Sequence, residues 1–230
     1  MGIYAISDLH LCLSDEKKNM NVFPGWDDYV NKLEKNWREK ITPEDTVVIA
    51  GDISWAMRLE DSVKDFEFLN NLPGRKIILK GNHDYWWSTV NKITNFLNTN
   101  NFNTINLLHN CAYEIENYCI CGTRGWMYRP ETEQDKKIFA REVGRLARSL
   151  DIAIEKKLEP IVFLHYPPVY GRDESKEIID ILIEKQVNKC YYGHIHGNRS
   201  SRRVIEGEYK NINLKLISCD YLNFCPIQIS

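Results

Sequence analysis

An α/β architecture, a sheet with both faces covered by helices, is what the sequence predicts, and three observations carry it. Strand-like and helix-like stretches alternate three times within roughly the first hundred residues, the succession expected of strand–helix units. Five apolar runs stop abruptly at Gly, Asp, Asn or His. At 230 residues, 43% of them hydrophobic and 27% charged, the chain is long enough for one large domain with a sizeable core.

Gly2 to Ser7 is a short apolar run that stops at Asp8-Leu9-His10. Residues two apart on an extended chain face the same side, so Asp8 and His10 point into one place. Residues 11 to 24 are polar and irregular and read as a loop. A helix is expected from Trp26 to Lys40, with Tyr29, Leu33 and Trp37 as its core-facing stripe. Thr42-Pro43-Glu44-Asp45 turns into a second strand, Thr46 to Ala50, ending in Gly51-Asp52. A second helix, Leu59 to Leu72, closes at Pro73-Gly74. The third strand, Lys76 to Lys80, ends in Gly81-Asn82-His83-Asp84, and a helix from about Trp86 to Asn98 follows.

Thr104 to Leu108 and Tyr118 to Cys121 read as further strands, with Gly122-Thr123-Arg124-Gly125-Trp126 as an exit loop. A charged amphipathic helix is expected from about Glu131 to Lys157. Phe139, Val143, Leu146, Leu150 and Ile154 form its apolar stripe, and Arg141, Arg145 and Arg148 lie on its solvated surface. Within a single domain spanning 1–230, the 123–158 segment is expected to be lid-like. Ile161 to Leu164 is a strand ending at His165 and stopped by Pro167-Pro168. A helix from Ser175 to Gln186 precedes the strand Lys189 to Tyr192, which ends in Gly193-His194-Ile195-His196-Gly197. Arg203 to Ile205 and Asn211 to Ile217 read as hairpin or edge strands from their alternation.

A net charge of −2 disfavours a general nucleic-acid or membrane surface. No apolar run approaches the roughly 20 residues needed to cross a bilayer. The first residues read directly into a strand, which leaves no room for a signal peptide. Seven cysteines, an odd number without a Cys-x-x-Cys, sit mostly in or beside apolar runs, and a reducing cytoplasm is the expected setting.

Five of the six histidines (His10, His83, His165, His194 and His196) lie just after strand-like runs; His109 does not share these motifs and is expected to be structural. One such histidine would read as a hydrogen-bonded structural residue. Five of them, with Asp8, Asp52 and Asn82 placed likewise, point to a site, because the carboxyl ends of parallel strands converge on the crevice of an open α/β sheet. Eight N and O groups exceed the needs of one tetrahedral zinc. They suit two divalent ions with mixed imidazole and carboxylate donors, and no thiolate is among them. Paired ions roughly 3.5–4 Å apart commonly clamp the attacking and departing oxygens of a displacement at phosphorus.

Asp8-Leu9-His10, Gly51-Asp52, Gly81-Asn82-His83-Asp84, His165 and Gly193-His194-Ile195-His196 together resemble the signature of the calcineurin-like metallophosphoesterases, in that family's order and over residues 8 to 196. The resemblance implies a four-layer αββα sandwich: two mixed sheets flanked by helices, with the metal site at the strand C-terminal ends. It implies that Asp8, His10 and His196 hold one ion, that Asp52 bridges, and that Asn82, His165 and His194 hold the other. The ions would be two of Mn, Fe, Zn, Ni or Co. By the same analogy His83 is no ligand but a catalytic residue, stabilising phosphoryl oxygens or protonating the leaving group. Asp84 either orients His83 through a hydrogen bond or caps the next helix. The implied reaction is direct attack on phosphorus by a metal-bridging hydroxide, without a serine or cysteine nucleophile.

Departures from the pattern narrow the class. Phosphoprotein phosphatases of this kind usually carry Gly-Asp-x-x-Asp-Arg-Gly, where this chain has Gly51-Asp52-Ile53-Ser54-Trp55-Ala56-Met57. Asp84 stands where they have Glu. The chain is more similar to the small bacterial-type phosphoesterases, which act on mono- and diesters. Arg124, Trp126, Tyr128 and Arg129 form a cluster that either contacts substrate or is a surface loop with a packed Trp. Trp55, Trp86 and Trp87 flank the motifs and either wall the site or join the core. A small-molecule phosphoester is the expected partner, with no membrane. A nuclease gripping DNA through Lys and Arg of the 124–148 region, and a non-catalytic metal-binding scaffold, are the alternatives. The complete ligand set and His83 weigh against the scaffold.

Overall fold

Burial along the first strands alternates in partners rather than in exposure. In the computed structural model, which describes residues 1–14, 20–126 and 130–230, β1 (Ile3–Ile6) turns Ile3 and Ala5 to one hydrophobic cluster and Ile6 to another. A strand buried on both faces must lie inside a layered structure. The chain continues through α1 (Tyr29–Lys40), β2 (Thr46–Ile49), α2 (Val63–Asn71), β3 (Arg75–Ile78), α3 (Val90–Thr99) and β4 (Ile105–Leu107). Then come β5 (Tyr113–Ile115), β6 (Tyr118–Thr123), α4 (Glu133–Glu155), β7 (Glu159–Leu164), β8 (Val169–Tyr170), β9 (Asp173–Glu174) and α5 (Lys176–Glu184). The chain closes with β10 (Lys189–Tyr192), α6 (Gly197–Ser201), β11 (Gly207–Tyr209), β12 (Ile212–Leu216) and β13 (Ile227–Gln228).

Two mixed sheets result. The first has the order β13-β1-β2-β3-β4, parallel except for β13; the second has the order β11-β12-β10-β7-β6-β5, parallel except for its two edges. Ile3, Ala5, Val48, Ala50, Ile77 and Leu79 of the first meet Ile120, Ile161 and Phe163 of the second in a shared core. Tyr29, Leu33 and Trp37 of α1, Phe66 and Leu69 of α2, and Ile93 and Leu97 of α3 cover the outer face of the first sheet. Helices α4 and α5 cover the second. The layers run helix, sheet, sheet, helix, as the resemblance implies. Among the described residues no helix is long and apolar enough to cross a membrane.

Several expectations need correction. The helix expected from Trp86 begins at Val90, capped by the Thr89 hydroxyl, so Asp84 is not its cap. The 203–205 strand is absent: Val204 makes one isolated bridge to Tyr170, and the hairpin partner is β11. Lys210 and Asn211, at φ 51° and 66°, form a two-residue turn that fixes the register from Tyr209 to Ile212. Along α4 the buried stripe drifts from Leu150 to Ala153 and leaves Ile154 49% exposed, because a straight helix turns in 3.6 residues rather than four. The segment expected to be lid-like is, over 133–155, that same outer-layer helix, with Phe139, Leu146 and Leu150 buried against the second sheet.

Candidate metal centre

Parallel strands of both sheets end at one edge, and there the backbone leaves ordinary conformations. Asp8, His10, Asp52 and His194 have φ of 61°, 46°, 50° and 72°. Non-glycine residues in that left-handed region cost of order 1–3 kcal/mol each and cluster where a site requires them. Two glycines let the strand ends close on one another. A Cβ on Gly81 would overlap the carboxylate and backbone of Asp52, and one on Gly193 would overlap Ser7 Oγ and Asp8 Oδ2.

Seven of the expected donors meet in this space. His165 Nε2 and His194 Nδ1 lie 2.6 Å and 2.8 Å from Asn82 Oδ1. His10 Nε2 faces His196 Nε2 at 3.2 Å, and His196 Nε2 lies 3.5 Å from Asp8 Oδ1. Asp52 Oδ2 lies 3.5 Å from His165 Nε2 and 3.8 Å from His10 Nε2. Asp8, His10 and His196 offer donors all within 4.8 Å of one another, as do Asp8, Asp52 and His165.

Tautomers sharpen this picture. His165 Nδ1 is 3.1 Å from the carbonyl of Ala50 and therefore donates to it, which leaves Nε2 bare toward the Asn82 oxygen. His196 Nδ1 donates to Asp220 Oδ1 at 2.8 Å, which makes Nε2 the atom that faces Asp8 and His10. Buried His10 Nδ1 has no hydrogen-bond partner among the described residues. Lone pairs facing lone pairs repel unless a proton or cation stands between them, so the donor set fits divalent cations with nitrogen and oxygen ligands.

The electrostatics agree. Burial lowers the His10 imidazole well below its ordinary range, that of His165 to about 3 and that of His194 to about 4, so these rings present neutral lone pairs. Burial works against a charge on His196 too, but Asp8 and Asp220 push it up to about 10. Burial raises Asp52 well above the usual carboxylate range, helped by Asp84 and Asp8. Asp8, also buried, is held below that range by His196, His165 and His10.

His83 stands at the rim, half-buried. Its backbone N–H donates to Asp52 Oδ1 at 2.7 Å, its ring packs against Trp55 at 4.5 Å, and its Nδ1 is 3.4 Å from the Tyr85 hydroxyl. Burial lowers its pKa. Asp84 makes no bond to that ring among the described residues. Fully buried, it accepts from the backbone N–H groups of Gly81, Asp52, Ile53 and Ser54 and from the Trp86 indole.

Trp55 stacks on His10 at 4.9 Å, and Trp86 is buried. Trp26 packs on His10 and His196, and Tyr166 on His194 at 4.4 Å. The Arg124 guanidinium lies over Trp126 at 4.4 Å and 3.6 Å from Glu142. Its carbonyl accepts the N–H groups of His165 and Tyr166, which fixes the loop beside the centre. Arg129 and Tyr128 lie outside the described residues. His109 is outside the donor cluster, its ring beside Trp87.

Sequence reasoning missed Asp220 and Ser218, whose hydroxyl donates to Asp8 Oδ2 at 2.9 Å. They stand two apart just beyond β12, the same spacing as Asp8 and His10 beyond β1. Trp26 and Tyr166 carry no comparable local signal.

Residues 1–198 match the calcineurin-like phosphoesterase family. No curated protein matches the chain. Among solved structures, a protein of unknown function from Aquifex aeolicus, AQ665, is 20% identical with a TM-score of 0.53, the match covering 99% of this chain and 95% of that one. TT1561 of Thermus thermophilus is 14% identical with a TM-score of 0.55, covering 84% and 81%. The phosphopantetheinyl hydrolase of Mycobacterium tuberculosis is 14% identical with a TM-score of 0.56, covering 99% and 95%. At these identities the likeness is one of fold.

Proposed function

The chain belongs to the calcineurin-like phosphoesterase family, and from that premise we propose a two-ion phosphohydrolase acting on phosphomonoesters or phosphodiesters of small molecules. One observation carries the reading. Seven N and O donors from both sheets converge with their lone pairs facing inward. Asp8, His10 and His196 would hold one ion, Asn82, His165 and His194 the other, with Asp52 between them. When bound, such ions acidify water and draw charge from phosphoryl oxygens.

The chain's own groups do the rest. Ala50 and Asp220 fix which nitrogen of His165 and His196 is free to coordinate. Trp55, Trp26 and Tyr166 pack the imidazole rings and keep water from their faces. His83 is the catalytic residue, placed at the rim where its ring reaches a phosphoryl or leaving-group oxygen. Asp84 serves it at one remove, by holding the loop that carries it. Arg124 and Trp126 belong to the substrate-side loop, and Arg129 is assigned to substrate from the sequence alone; the buried Arg124 Nε without a partner among the described residues supports a ligand-facing role. Seven cysteines, an odd number without a Cys-x-x-Cys, support a reducing, cytoplasmic setting.

The deciding experiment is a metal-reconstituted screen with Mn, Fe, Zn, Ni and Co. The substrates are p-nitrophenyl phosphate, bis-p-nitrophenyl phosphate, nucleotides, cyclic nucleotides and a phosphopantetheinyl ester. Turnover is expected on at least one, and Asp52→Asn and His196→Ala should abolish it. Tight metal binding without turnover on any of them would overturn the reading in favour of a scaffold.

A further inference from the structure

The segment after β12 crosses from the second sheet to the first, where β13 pairs with β1. On the way it seizes one half of the donor cluster. Ser218 bridges Ser7, and the Cys219 N–H donates to the Ser7 carbonyl at 2.9 Å, which anchors the crossing to the end of β1. The Cys219 thiol donates to the Asp8 carbonyl at 2.8 Å. Ser218 Oγ donates to Asp8 Oδ2, and the His194 N–H donates to both Asp8 oxygens at 3.0 Å. Asp220 takes the His196 Nδ1 proton on Oδ1 at 2.8 Å and the Gly197 N–H on Oδ2 at 2.9 Å. A carboxylate held at two points cannot swing away from the imidazole.

Among the described residues the other half of the cluster has no carboxylate within hydrogen-bond distance of its outward ring nitrogens, the nearest to His165 Nδ1 being Asp8 Oδ1 at 3.8 Å. His165 donates to the neutral carbonyl of Ala50, at 3.1 Å. Among the described residues no carboxylate touches the His194 ring. A histidine backed by a carboxylate is locked in one tautomer and made a more basic ligand, and loss of such a partner typically costs about 10–100-fold in metal affinity. The residues that match the family end at 198, so this grip comes from a part of the chain beyond that match.

We propose that Asp220 is a positioning residue that makes the Asp8–His10–His196 position the tighter of the two ion positions and the first to fill. Ser218 acts with it by fixing the Asp8 carboxylate. This rests on the two-ion reading above.

Calorimetric titration of the metal-free full-length protein with Mn(II) tests it, with bound metal counted after gel filtration. Wild type should show a tight and a weaker phase. Asp220→Asn, which keeps the size and removes the charge, should weaken the tight phase about 10–100-fold and leave the other unchanged. Asp220→Glu should recover part of the loss, and Ser218→Ala should weaken the same phase by less. Tight-phase affinity at the wild-type value in Asp220→Asn, or a loss confined to the weaker phase, overturns the proposal. Failure of the two-ion reading itself shows in a different place: wild type would take up no second equivalent.

Discussion

Asp84 accepts the backbone N–H of Asp52 through Oδ2 at 2.9 Å. The same carboxylate takes the N–H groups of Gly81 (2.7 Å), Ile53 (2.8 Å) and Ser54 (3.3 Å) and the Trp86 indole (2.9 Å). Burial pushes its pKa up to about 6, with those hydrogen bonds pulling the other way. Asp84 thereby ties the exit of β3 to the exit of β2, and so places His83 relative to Asp52 without touching its ring.

Asp84→Ala leaves four buried backbone N–H groups without that acceptor. At about 1–3 kcal/mol for each group left unsatisfied, the metal-free protein should lose at least about 4 kcal/mol in urea unfolding. His83→Ala, at the rim, should cost under about 1 kcal/mol by the same measure. An Asp84→Ala variant as stable as wild type would return Asp84 to the role of a direct partner of His83.

His83 touches no donor pair of the cluster through its ring nitrogens, so His83→Ala should keep the full metal content. If the imidazole protonates the leaving group, kcat should fall about 10²–10⁴-fold on an alkyl phosphate. The fall should be far smaller on p-nitrophenyl phosphate, whose leaving group needs no proton. An equal fall on both would assign His83 to the phosphoryl oxygens instead.

The donor set is legible in the sequence because each member follows an apolar run, and strand ends of a parallel sheet share an edge. Asp220 obeys the same rule but is hidden, because the parallel pairing of β12 with β10 is a long-range fact that local alternation does not carry. Alternation alone also misplaced the 203–205 strand, where the turn at Lys210 and Asn211 decides the register. The helix start at Val90 is obscured by Trp86, which reads as helical but spends its indole N–H on Asp84. The layer order follows from strands buried on both faces. Which residues bend into left-handed backbone does not, since Asp and His enter that region more readily than most side chains but still only occasionally.

Two glycine substitutions should move in opposite directions. Gly193→Ala drives a methyl into Ser7 and Asp8, both fully buried, and should lower ion affinity at least about tenfold along with the unfolding temperature. Gly144, inside α4, has open space where a methyl would stand, with nothing within 4 Å of it. Gly144→Ala should therefore stabilise by about 0.5–1 kcal/mol. Differential scanning calorimetry reads both; a destabilised Gly144→Ala would mean that α4 needs the backbone freedom at that position.

Lys76 is fully buried, with Nζ donating to the carbonyls of Leu72 at 2.5 Å and Gly74 at 2.8 Å. Burial pushes its pKa down to about 7. The unfolded chain keeps that proton up to about pH 10.4. Between these values the unfolded state binds more protons, so the Lys76 contribution to unfolding free energy rises with pH, and below about pH 7 its slope vanishes. The stability of wild type minus that of Lys76→Met should grow between pH 7 and 9.5 in paired denaturant titrations. A constant difference would show that the ammonium remains charged in the fold.

The two sheets meet through aliphatic side chains such as Val48, Ile77, Ile161 and Phe163, and burial of apolar surface has no preferred direction. Such an interface resists separation, and interdigitation of its side chains supplies the resistance to sliding. The donors are divided across it, with Asp8, His10, Asp52 and Asn82 after strands of the first sheet and His165, His194 and His196 after strands of the second. Coordination is directional, so an ion gripped from both sides would add a directional resistance to sliding. On the two-ion reading, alignment of the two halves of the molecule would become a property of the loaded protein, and the chemistry would supply part of the rigidity on which it depends.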